Sequence, residues 1–131
     1  MYDYNKKDYK IRDSMLNRTT SLDDGSRYDI FWFDGLKAET LGKLIEMGFA
    51  DPQDSQNNAP NIGTILEFLK RNPSFTAHGY AITPHRSDYR ISLEGVEANF
   101  ADDSEVAEFI ELFRHADDFR ANADYQYAWF D

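Results

Sequence analysis

The chain has 131 residues, with 24 Asp and Glu against 14 Lys and Arg and no cysteine. A formal charge of −10 excludes a basic groove for DNA, RNA or anionic lipid. The missing cysteines exclude thiolate metal sites, disulfide scaffolds and thiol nucleophiles together.

Ten Phe, 8 Tyr and 2 Trp are too many for a solvated chain, and the length suits one packed domain. The longest strongly apolar run, Ile30–Phe33, is too short for a membrane span or a signal-peptide core, so a cytoplasmic protein is expected. The charge is uneven: residues 1–27 carry net +1, residues 28–100 net −4, and residues 101–131 net −7.

Residues 1–26 show no sustained period and read as a loosely held arm, with a turn at Leu22–Ser26. Residues 27–131 then form a single acidic domain. A strand over Arg27–Phe33 sets Tyr28, Ile30 and Trp32 on one face and Asp29, Phe31 and Phe33 on the other, which suits an interior strand. Asp34-Gly35 ends it and offers a cap for a helix over about 36–47, with Leu41, Leu44 and Ile45 on its apolar stripe and Gly48 as the residue that stops it. After the polar loop Asp51–Pro60, Asn61 caps a second helix with Ile62, Ile65, Leu66 and Leu69 at helical spacing, and Asn72-Pro73 ends it.

Residues 75–82 alternate as a strand. The runs 88–93 and 96–100 read as two further strands joined by a hairpin at Glu94-Gly95, pairing Leu93 with Val96, Ile91 with Ala98 and Tyr89 with Phe100. Asp102 and Glu105 form a capping box for the last helix, whose stripe is Val106, Phe109, Ile110, Phe113 and Ala116. The tail Tyr125–Phe130 alternates weakly and reads as one more strand or an unstructured end; as an exposed strand it offers an edge to a second copy. The expected fold is α+β, a mainly antiparallel sheet of about four strands with three helices on one face, in the order β-α-α-β-β-β-α.

Motif chemistry is sparse. His78 and His85 are spaced H-x6-H, which matches no metal motif even with Asp88 added, and Asp51–Asn61 lacks the central glycine and final glutamate of a calcium loop. No nucleophile elbow, P-loop or dinucleotide fingerprint is present, so neither an enzyme nor a cofactor is expected. Two surfaces stand out. Glu105, Glu108, Glu111 and Asp118 place carboxylates along the last helix, a negative surface that resembles nucleic acid to a basic partner. His78, Tyr80 and Arg90 lie on neighbouring strands, where with either Glu94 or Glu97 a small-molecule or hydrolytic pocket would form if they converge.

The run Gly48-Phe49-Ala50-Asp51-Pro52, followed by Asn61-Ile62-Gly63, Glu67-Phe68, Phe75 to Tyr80, Asp88-Tyr89-Arg90 and Glu94-Gly95, is similar to small accessory domains of bacterial conjugative elements and phages. The resemblance covers about residues 36–97 and carries no assigned activity; it implies an accessory protein that binds other proteins. The resulting expectation is a non-enzymatic protein–protein interaction module, monomeric or weakly dimeric, whose partner has a basic surface, with no direct nucleic-acid or membrane binding.

Overall fold

The computed structural model describes residues 1–17 and 29–131. The elements follow the order α1 (Tyr9–Met15), β1 (Ile30–Leu36), α2 (Ala38–Glu46), α3 (Ile62–Arg71), β2 (Phe75–Ile82), β3 (Ile91–Asn99), α4 (Asp103–Phe113), β4 (Asp118–Ala121) and β5 (Tyr125–Trp129). The fold is α+β: one antiparallel sheet in the order β1-β2-β3-β5-β4, with the helices packed on a single face.

The helix termini are set by local chemistry. Asn61 accepts from the Thr64 amide at 2.8 Å to start α3. The Asp102 carboxylate accepts from the Glu105 amide at 2.9 Å while Glu105 accepts from the Asp102 amide at 3.1 Å, the reciprocal capping box that starts α4. Gly48, at φ +82°, ends α2, and the Phe49 amide reaches back to the Leu44 carbonyl at 2.8 Å. The core is built from phenylalanine: Phe68, Phe75, Phe109 and Phe113 are buried, with ring centroids 5.0–5.7 Å apart, and Phe119 and Phe130 extend the cluster onto β4 and β5. Each such ring contributes about 1.5–3 kcal/mol of burial.

Four sequence expectations need correction. Glu94-Gly95 is not a hairpin turn: β3 runs straight through it, and β2 pairs with β3 in the register Ala77↔Val96 and Gly79↔Leu93. Glu94 is the one extra residue, a bulge, and Gly95 is there because a Cβ would lie 1.8 Å from the Ala128 carbonyl oxygen of β5. Among the described residues β1 is an edge strand, not an interior one, and its outer-face Trp32 is 66% exposed. The tail forms the further strand that was one of its two readings, but not a free edge: β5 lies between β3 and β4, so it has no open side to lend to a second copy. On α4, Ile110 is exposed, not part of the buried stripe.

The N-terminal residues also belong to the packed unit as far as they are described. Arg12 on α1 is completely buried, its guanidinium 4.3 Å from the Tyr89 ring centroid and donating to the Ile82 carbonyl at 2.9 Å and to Asp13 at 3.0 Å. The Asn5 amide donates to the Gly48 carbonyl at 2.8 Å. The expected turn at Leu22–Ser26 and the start of the first strand at Arg27 lie outside the described residues.

Candidate functional site

The helices cover one face of the sheet; on the other, Gln56 of the loop 51–60 bonds Tyr80 and Ser92, and the part around Trp32 and Trp129 is open. Cross-strand pairing places Trp32 beside Tyr80, His78 beside Gly95, and Glu97 beside Tyr127 on that open face, with Trp129 beside Gly95. Directly paired residues share a face, so this row follows from the register alone. At its centre is a shallow cleft of about 400 Å³. Trp32, Tyr127 and Trp129 form its aromatic walls, Asp34, Glu94 and Glu97 supply carboxylates, and His78 and Gly79 lie at its base.

Two bulges build this cleft. On one side of His78, β1 advances three residues, Phe33 to Leu36, against two on β2, with Gly35 at φ +65° taking up the extra residue. On the other side, β3 inserts Glu94 between the partners of His78 and Gly79. Both neighbours of β2 therefore bulge at the same level, and each inserts a carboxylate there, Asp34 from one side and Glu94 from the other. Bulges re-aim side chains in this way beside functional sites.

His78 is the scaffold of the cleft and not its reagent. Its Nε2 hydrogen-bonds the Ala128 carbonyl at 3.1 Å, and its ring stacks on Tyr127 at 5.2 Å with an interplanar angle of 7°. Burial pushes its pKa below the ordinary imidazole value, so the ring is neutral near pH 7 and does not offset the carboxylates. Gly79 and Gly95 leave bare backbone beside it, since a Cβ at Gly79 would lie 2.0 Å from the Ser92 carbonyl oxygen. Glu94 accepts from Trp129 Nε1 at 3.3 Å and Glu97 from Tyr125 Oη at 3.0 Å, so each carboxylate holds an aromatic side chain with its Oε2. Burial, and then the nearby Asp131 carboxylate, raise the Glu94 pKa.

The structure does not bring His78, Tyr80 and Arg90 together. Arg90 donates to Tyr80 Oη at 3.0 Å, and Tyr80 in turn donates to Gln56 at 3.1 Å. Arg90 lines a separate depression with Tyr2, Tyr4 and Tyr89, while His78 lines the cleft. His85 is exposed and Asp88 is paired with Arg86 at 2.6 Å. Among the described residues no group of three or more His, Asp or Glu side chains is arranged to hold a metal ion. The loop 51–60 is held by its own side chains and by contacts to the rest of the fold: the Gln53 amide donates to Asp51 at 2.9 Å, and the Asn58 carbonyl lies 2.8 Å from His115 Nε2.

The acidic helix is largely engaged in folding. Glu105 is buried and accepts from the Ser74 amide at 3.0 Å and hydroxyl at 2.7 Å. Glu108 is paired with Arg71 and accepts from Asn72 at 2.9 Å, which holds its pKa below the usual carboxylate value, the Arg71 hydrogen bond first. Asp118 is on β4, paired with Arg120 at 3.2 Å, leaving Glu111 exposed on the helix itself.

Sequence reasoning named His78 and raised Glu94 and Glu97 as alternatives beside it, but passed over Asp34, Trp32, Tyr127 and Trp129. The alternation Tyr125, Tyr127, Trp129 was the available signal, since three large aromatics at i, i+2, i+4 share one face of a strand. No family model, curated protein or solved structure matches the chain. No helix among the described residues is long and apolar enough to cross a membrane.

Proposed function

We propose that the protein is a non-enzymatic interaction module that binds a protein partner with a basic surface through the open face of its sheet. The observation that carries this reading is the cleft: both tryptophans of the chain and three carboxylates meet there, and among the described residues no lysine or arginine lines it. Exposed Trp and Tyr on a rigid element are the anchors that binding interfaces favour. The charge of −10 adds long-range attraction for a basic partner.

The engaged carboxylates Glu105, Glu108 and Asp118 support a nucleic-acid-like surface on α4 less well than they support a structural role. With the resemblance over residues 36–97, the reading becomes that of a bacterial mobile-element accessory protein acting on another protein.

The test is affinity capture from a lysate of the source cells, quantified by mass spectrometry, with three immobilised forms. Wild type and a form carrying Glu108→Lys, Glu111→Lys and Asp118→Lys should enrich the same partner. A form carrying Trp32→Ala and Glu97→Gln should lose it; Trp32 is exposed, so the fold should survive its truncation. Retention by the cleft variant, with loss by the helix variant, contradicts the reading.

A further inference from the structure

The cleft has features that narrow the chemistry of what it holds. Trp32 presents a planar indole that is 66% exposed, at the edge of the sheet and beside the inserted Asp34. Glu94 uses Oε2 to hold the Trp129 wall, Glu97 uses Oε2 to accept from Tyr125, which stacks on the Tyr127 wall, and no protein donor among the described residues reaches either Oε1. Asp34 makes no hydrogen bond or ion pair among the described residues. Arg120 lies 5.9 Å from the Tyr127 ring centroid but is already paired with Asp118. Three carboxylate charges thus meet flat aromatic faces, and among the described residues no lysine or arginine lines the cleft to balance them.

We propose that the cleft is a receptor for an arginine side chain of the partner, its guanidinium lying against the Trp32 indole and bonded by the free oxygens of Glu94 and Glu97. The proposal rests on the reading of the open face given above and names what that face recognises. A guanidinium is planar, weakly hydrated and always charged, so it stacks on an aromatic face and bonds a carboxylate in the same pose. An ammonium is a compact, strongly hydrated point charge and gains less from an open, shallow site. The fold already uses this pairing internally, where Arg12 stacks on Tyr89 at 4.3 Å while bonding Asp13. A sugar ring would also stack on the tryptophan, but it supplies no charge to offset three carboxylates.

The test is nuclear magnetic resonance of the 15N-labelled full chain, following the two tryptophan indole N–H signals and the backbone amides of Tyr125–Trp129. Nα-acetyl-arginine amide should shift both indole signals saturably. Nα-acetyl-citrulline amide, which has the same shape without the charge, should not, and the lysine analogue should bind at least several-fold more weakly. The isosteric variant Glu94→Gln/Glu97→Gln keeps acceptors for Trp129 and Tyr125, so it retains the walls while weakening arginine binding about tenfold or more. No saturable shift with arginine, an equal shift with citrulline, or saturation of the same signals by methyl glucoside instead overturns the proposal. If arginine fails while Trp32→Ala with Glu97→Gln still abolishes partner capture, the open face stands and only its ligand is wrong. If capture is also indifferent to those substitutions, the reading of the face falls with it.

Discussion

Gly95→Ala is expected to be the most destabilising conservative change in the sheet. The added Cβ would lie 1.8 Å from the Ala128 carbonyl oxygen, 2.8 Å from the Ala128 carbonyl carbon and 3.0 Å from His78 Cε1. Two of these atoms are backbone of a neighbouring central strand, and the third belongs to a buried ring stacked on Tyr127, so no flexible side chain can move aside. β3 and β5 must separate, which disrupts the pairing from Gly95↔Trp129 to Asn99↔Tyr125. The expected cost is about 3 kcal/mol or more, a large share of the roughly 5–15 kcal/mol that holds a domain folded. Denaturant titration checks it, with Gly42→Ala as the control. Gly42 lies within α2 and its added Cβ would be 4.0 Å from Leu66 Cδ1, so that change should stabilise by about 0.5–1 kcal/mol. A Gly95→Ala midpoint equal to wild type would show that β5 does not close against β3 as described.

Arg12→Ala is expected to cost nearly as much, for an electrostatic reason. The guanidinium is fully buried between α1 and the start of the sheet, stacked on Tyr89 and bonded to Ile82 and Asp13. Its removal takes the guanidinium from beside the Asp13 carboxylate, itself only 8% exposed, takes a donor from the Ile82 carbonyl, and leaves a void beside Tyr89. Breaking a buried pair from one side costs about 3–5 kcal/mol. The double variant Arg12→Met/Asp13→Asn refills the volume and removes both charges of the pair, so it should recover much of the loss. Urea unfolding of the three chains reads both effects. A loss below about 1 kcal/mol for Arg12→Ala would mean that the N-terminal segment is only an appendage.

Much of the fold was legible where structure depends on neighbours in sequence. Asn61 at the start of α3, Asp102 with Glu105 at α4 and Gly48 after α2 each act within four residues of themselves, so local pattern finds them. The strand at Phe75–Ile82 was readable for the same reason. What failed depends on contacts distant in the chain. Gly95 resembles a turn glycine until the Ala128 carbonyl, 33 residues later, is known to lie against it. β5 is only five residues long, and its alternation of large aromatics with Gln126 and Ala128 is too short a run to separate a strand from a loose end by local pattern. The candidate site was legible only at His78, Glu94 and Glu97, because Asp34 enters through a bulge and the two tryptophans meet only through the sheet order. The helix carboxylates drew attention as a charge run, but Ser74 and Arg71 meet Glu105 and Glu108 from elements that sequence spacing does not relate to them.

The central claim is that the open face recognises positive charge, and the protein carries its own reporter for it, because Trp32 and Trp129 are its only tryptophans and both line the cleft. Intrinsic tryptophan emission should therefore be titrated with an oligo-arginine peptide, with an oligo-glutamate peptide as control, at low and high salt, in wild type and in Glu94→Gln/Glu97→Gln. The account predicts a saturable change with oligo-arginine that weakens with salt and in the variant, and none with oligo-glutamate. An emission unchanged by oligo-arginine, or changed equally in the variant, contradicts it.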